Sequence, residues 1–180
     1  MIIGDVISVE MGKYVVKVRS DNNVRVPLGE FVGVRLEGGT TAVGVVSGTL
    51  NRVKDELLPY MDSQHLPKYL PYVDDYSENH LIVTPLGTME GKGGGKCVSR
   101  QLAFAPVSLK STVETLKDEE TLEFHTVGGT YRASYLYRLR SELDPQTIIV
   151  MVERLAKILP SEVGPELRAI KRLYEGGGLE

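Results

Sequence analysis

Ile2-Ile3-Gly4-Asp5-Val6-Ile7-Ser8-Val9-Glu10 is followed, after Met11-Gly12-Lys13, by Tyr14-Val15-Val16-Lys17-Val18. Ile3, Asp5, Ile7, Val9 and Met11 share one alternating register, and Gly4, Val6, Ser8 and Glu10 share the other. Tyr14, Val16 and Val18 alternate with Val15, Lys17 and Arg19. A period of two is the signature of strands with one face buried. Met11-Gly12-Lys13 reads as a tight turn, and so does Ser20-Asp21-Asn22-Asn23, whose residues tolerate left-handed backbone. Outward from this pair, Val32, Val34 and Leu36 alternate again. Gly38-Gly39 then marks a hairpin whose second strand is Thr41 to Val46. Glycines 4, 33 and 44 weaken ordinary strands but suit the corners of a small barrel. Short strands about ten residues apart predict a small closed barrel or sandwich.

Residues 51–79 are of a different composition. Pro59, Pro67 and Pro71 forbid a long helix, and Tyr60, Tyr69, Tyr72 and Tyr76 crowd the same stretch. It reads as an excursion between two sets of strands. His80 to Gly87 returns to strand, and Val98 to Phe104 follows a basic glycine loop, Gly91-Lys92-Gly93-Gly94-Gly95-Lys96. From Lys110 onward the pattern is helical. Asp118 is positioned to cap a helix through His125. Leu136, Leu139 and Leu143 share a face. Asp144-Pro145 supplies an N-cap and a first-turn proline. Ile148, Val152, Leu155 and Leu159 form the stripe of an amphipathic helix that Pro160 stops. A last helix carries Leu167, Ile170 and Leu173 or Tyr174, and Gly176 to Gly178 ends it. The expected fold class is α+β. Residues 1–108 form the barrel with its insertion, and residues 109–180 form a helical region.

Composition narrows the function classes. The 180 residues carry a net charge of −3, so the molecule as a whole is not a basic nucleic-acid binder. Cys97 is the sole cysteine, which excludes an internal disulfide and fits a reducing compartment. No apolar run reaches the roughly 18 residues of a membrane span. Residues 1–5 resemble neither a signal nor a transit peptide. The expectation is a cytoplasmic protein with no membrane partner.

A phosphate loop needs G-x-x-x-x-G-K-[ST]. Aligned on Gly95-Lys96, this chain puts Glu90 at the first glycine and Cys97 at the hydroxyl position, so the motif fails twice. Thr147 to Glu153 has the look of an apolar strand ending in an acid, but Asp144-Pro145 and the helical stripe assign it to a helix. His65, His80 and His125 lack metal-ligand spacing, and a charged His125 at a helix C-terminus would suit the helix dipole. Asp74, Asp75 and Glu78 lack the spacing of a calcium loop. No residue is assigned a catalytic or metal-binding role, and no cofactor is expected.

Two binding readings stand. Tyr60, Tyr69, Tyr72 and Tyr76 form a candidate partner surface, since tyrosine is enriched at interface hot spots. The structural alternative is that the excursion caps an open end of the barrel. Lys92, Lys96 and Arg100, with Lys110 nearby in sequence, form a candidate phosphate-backbone contact that would be salt-sensitive and sequence-blind. Arg168, Lys171 and Arg172 on the last helix would add to it. The structural alternative is a hairpin tip kept soluble by its lysines.

Three runs together resemble the HAS-barrel: Ile2 to Ser8, Val32-Gly33-Val34-Arg35-Leu36, and Val43-Gly44-Val45-Val46-Ser47. That is the small barrel preceding the motor of HerA-type archaeal DNA-translocating ATPases and of rotary ATP synthase catalytic subunits. The likeness lies in element order: an I-G-x-V-like strand, a strand after Leu28-Gly29-Glu30-Phe31, then a V-x-G-x-V strand. It implies a later strand at His80 to Gly87 and closure near Ala105-Pro106-Val107. It covers about half of the chain. The motor and its phosphate loop are absent, so the resemblance implies assembly and partner contact without ATPase activity. The expected function is therefore a non-enzymatic interaction module, binding a protein partner or itself, in association with a DNA-processing ring ATPase. Direct nucleic-acid binding is the alternative, and an enzyme with a dispersed active site stays open.

Overall fold

A computed structural model describes residues 1–10, 12–19, 25–53, 77–92 and 96–176. Six antiparallel strands close a barrel in the order β1 (Ile2–Glu10), β2 (Lys13–Val18), β5 (Ser77–Lys92), β4 (Thr40–Val53), β3 (Phe31–Arg35) and β7 (Thr112–Thr115), which returns to β1. β6 (Lys96–Gln101) lies outside the closed ring and, among the described strands, pairs with β5 alone. Helices follow, so the fold class is α+β as expected.

The β1–β2 turn is as tight as the sequence implies: Glu10 pairs with Lys13, and Gly12 sits at φ 82°. Gly38 and Gly39 both take positive φ, 77° and 78°, which turns β3 back into β4. The barrel interior is filled by Ile3, Val6, Tyr14, Val16, Val32, Val34, Ala42, Val46, Leu81, Val83 and Val113. β1 does not keep one alternation along its length. It carries an extra residue at Ile3 opposite β7 and another at Ile7 opposite β2. Such bulges redirect the side chains beyond them.

Two expectations about strand limits are corrected. β4 runs to Val53 and β5 begins at Ser77, paired residue for residue at that end, so both strands enter the expected excursion of residues 51–79. The barrel closes through Thr112–Thr115, and not near Ala105-Pro106-Val107. That strand lies past the boundary placed at residue 108, in a segment that read as helical. β7 has one apolar side chain in the core, Val113, and its place is fixed by pairing on both edges, to β1 and to β3.

β5 serves two partners along one edge. His80 to Val83 pair with β2, and Gly87 to Lys92 pair with β6. In the gap Pro85 has no N–H to donate, and Leu86 is the bulged residue opposite β4. Leu86 is fully buried in the layer beneath the helices.

That second layer begins on the outer wall of the barrel. Phe31, Val43, Val45, Leu86 and Met89 form one cluster with the residues of the helical region. The helical elements are α1 (Asp118–His125), a 3-10 segment (Ser134–Ser141), α2 (Pro145–Ile158) and α3 (Gly164–Glu175). Asp118 is the first helical residue of α1 and not its cap. Glu120 instead reaches back to accept from the Lys117 N–H at 2.9 Å. The Asp144 cap forms as expected, accepting from the Gln146 N–H at 2.8 Å. On α3 it is Tyr174 that is buried, while Leu173 is exposed.

Polar contacts pin the layers together. Arg154 of α2 ion-pairs with the buried Glu30, which precedes β3. Gly29, at φ 76°, lies so close to α2 that a Cβ there would stand 2.9 Å from a Val150 methyl. Arg35 of β3 bonds Glu114 of β7 at 2.6 Å and also pairs with Glu120 of α1.

Candidate interaction surface

β1 has a strand on both edges only along its first half. Its pairing with β7 ends at Asp5–Thr112, and two further bonds, Val6 N–H to Ser111 O (2.9 Å) and Lys110 N–H to Val6 O (2.7 Å), complete it. Beyond Val6, no strand among the described residues lies on that edge, while β2 continues on the other edge to Glu10. An unpaired edge offers a row of backbone donors and acceptors to an incoming strand.

Exposed apolar side chains lie on and beside this stretch. Ile7 and Val9 are each 46% exposed and Leu109 is 61% exposed. Leu109 precedes the residue bonded to Val6, and Ile7 follows Val6, so the two flank one hydrogen bond. Alternation placed Ile3 and Ile7 in one register. The extra residues in β1 separate them: Ile3 is fully buried and Ile7 is outside. Sequence reasoning missed this surface because a bulge leaves no mark on a pattern of apolar residues.

The expected site residues fall in three groups. Tyr60, Tyr69, Tyr72 and Tyr76 lie outside the described residues. Lys92 and Lys96 are opposed in the β5–β6 register, and their side chains are not among those described. Arg100 is exposed on β6, and its guanidinium stands 3.6 Å from Glu90 on the facing strand. On α3, Arg168 and Arg172 are exposed, whereas Lys171 bonds Glu153 at 2.7 Å and stands 3.4 Å from Glu175.

The buried titratable groups serve the core. His125 does not carry the charge expected of it at a helix end. It is fully buried, with Phe31 and Phe124 meeting its ring edge-on at 5.5 and 5.2 Å. Burial pushes its pKa down to about 4. The neutral ring donates from Nδ1 to Thr121 O (2.7 Å) and accepts the Tyr135 hydroxyl at Nε2 (2.9 Å). His80 is buried within β5, 3.6 Å from Glu78, and desolvation holds its pKa below the usual value. The Tyr14 hydroxyl is buried without a hydrogen-bond partner, and desolvation raises its pKa.

Among the described residues no group of three or more His, Cys, Asp or Glu could hold a metal ion. No described helix is long and apolar enough to cross a membrane. No family model and no curated protein matches this sequence.

Proposed function

We propose that this chain is a protein-interaction and assembly module whose barrel receives an extended segment of a protein partner along β1. The observation that carries the reading is that the β1 edge at Ile7 to Glu10, which no strand among the described residues pairs, carries exposed Ile7 and Val9 and adjoins exposed Leu109. Main-chain bonds give such docking its affinity, and alternate side chains give it specificity. The closed six-stranded barrel agrees with the resemblance to HAS-barrels. That analogy of fold makes a DNA-processing ring ATPase the proposed partner class.

The test compares the native chain with an Ile7→Lys/Val9→Lys variant. Both side chains are exposed, so the variant keeps its fold, which circular dichroism checks. Each protein is used for crosslinked capture from native extract, with mass spectrometry and light scattering. The expected result is a ring ATPase captured by the native chain and lost with the variant. Capture that survives the double lysine change refutes the β1 edge as the docking site. Repeated recovery of no ATPase refutes the partner class.

One observation favours the nucleic-acid reading: the register opposes Lys92 to Lys96, and the exposed Arg100 lies four residues further along the same strand, opposite Thr88. Against it, Glu90 already stands beside Arg100. A Lys92→Glu/Lys96→Glu variant should lose single- and double-stranded DNA binding alike, with a shallower salt dependence. Unchanged binding excludes this loop.

A further inference from the structure

A groove of about 530 Å³ runs between α2 and α3, within the usual range of ligand clefts. Its floor is apolar: Val152, Ala156, Leu159, Pro160 and Leu167. Its rim carries three cations, Lys157, Arg168 and Lys171, against one acid, Glu153. Glu153 is spent on Lys171. Among the described residues neither Lys157 nor Arg168 stands within ion-pair distance of a carboxylate. The chain as a whole has a net charge of −3, so this positive rim is a local feature.

An apolar trough whose rim carries three cations against one acid calls for a ligand with aliphatic and anionic parts side by side. We infer that the α2–α3 groove binds an acidic, aliphatic peptide segment of a protein partner. Carboxylates of the segment meet Lys157 and Arg168, and a leucine-like side chain covers Leu159 and Leu167. A nucleic-acid backbone would leave the apolar floor unused, and the lining includes no aromatic ring for a base to stack on. This site is separate from β1, and its test reads α2 and α3 alone, so either reading can fail without the other.

The experiment is a nitrogen–proton NMR titration of the full chain. The probes are acetylated, amidated heptapeptides that permute Glu, Asp and Leu. A control set replaces every Glu and Asp by Gln and Asn, and decanoate is a third arm. The expected result is shifts confined to residues 152–171 with an acidic peptide. The neutral set and a Lys157→Glu/Arg168→Glu variant should each weaken binding on the order of ten-fold or more, since charge complementarity selects the partner. Both side chains are exposed, and an unchanged spectrum elsewhere verifies the fold of the variant. The inference is overturned if no acidic peptide shifts these residues, if the neutral set binds as well, or if decanoate binds and the peptides do not.

Discussion

His125 ties stability to pH through its burial. Its pKa is about 4 in the folded chain and about 6.5 when unfolded. The folded state therefore binds fewer protons between those values, and stability falls as the pH drops through that window. Above about pH 6.5 the cost vanishes. Urea denaturation should give a free energy about 2 kcal/mol lower at pH 5 than at pH 7. A His125→Gln variant should lose most of that difference. An equal pH dependence in the variant would show that another group carries it. Tyr14 makes the opposite case. Its hydroxyl is buried without a partner, and an unsatisfied buried polar group costs about 1–3 kcal/mol. Tyr14→Phe should therefore raise stability by about 1 kcal/mol in thermal or urea unfolding. Gly44→Ala should lower it by about 2 kcal/mol. Its Cβ would stand 2.6 Å from a Val83 methyl and 2.8 Å from the Tyr14 hydroxyl. Neither histidine environment was legible in the sequence, because burial depends on what packs against the ring from distant elements.

At the scale of elements, local signals reported well wherever they were self-sufficient. Asp144-Pro145 announced α2 because capping is a contact within three residues. Gly38-Gly39 announced the β3–β4 hairpin because both residues need positive φ. Asp144→Ala should destabilise the chain by about 1 kcal/mol, read from urea midpoints at constant m. The signals failed where distant pairing decides. Thr112-Val113-Glu114-Thr115 has one apolar residue and no pattern, and it is a strand only because β1 and β3 flank it. Ser134–Ser141 took a 3-10 form although its leucines were correctly placed in the core. The candidate surfaces depended on the same long-range facts. The bulge at Ile7 and the convergence of α2 with α3 lie outside what spacing can reveal. The contact between Arg154 and Glu30 is of that kind too, and joins α2 to the barrel. Arg154→Met removes the cation that pairs with the buried Glu30 and should cost about 2 kcal/mol or more. Adding Glu30→Gln should recover part of that loss, and a strictly additive double variant would refute the coupling.

For the whole molecule, the two hydrophobic clusters share walls. Phe31, Val43 and Val45 face the helical layer, while Val32, Val34 and Val46 on the same strands fill the barrel. The barrel and helices should therefore unfold in one transition, with fluorescence and circular dichroism midpoints coinciding. A fragment of residues 1–108 lacks β7 and should show no dispersed NMR spectrum. A fragment of residues 1–116 restores the strand but exposes Phe31, Leu86 and Met89, and it should self-associate. A monomeric, folded 1–108 fragment would contradict the closure described above. The pairing of Ile2 with Glu114 also sets an order of events during synthesis. β1 leaves the ribosome before its second neighbour, which is more than a hundred residues behind it. The ring cannot shut until β7 has been made, and loop closure on that scale is slow. Until then the ring stays a five-stranded open sheet, with the edges of β1 and β3 that β7 will join left free. The helices that follow β7 in the chain then cover the outer wall.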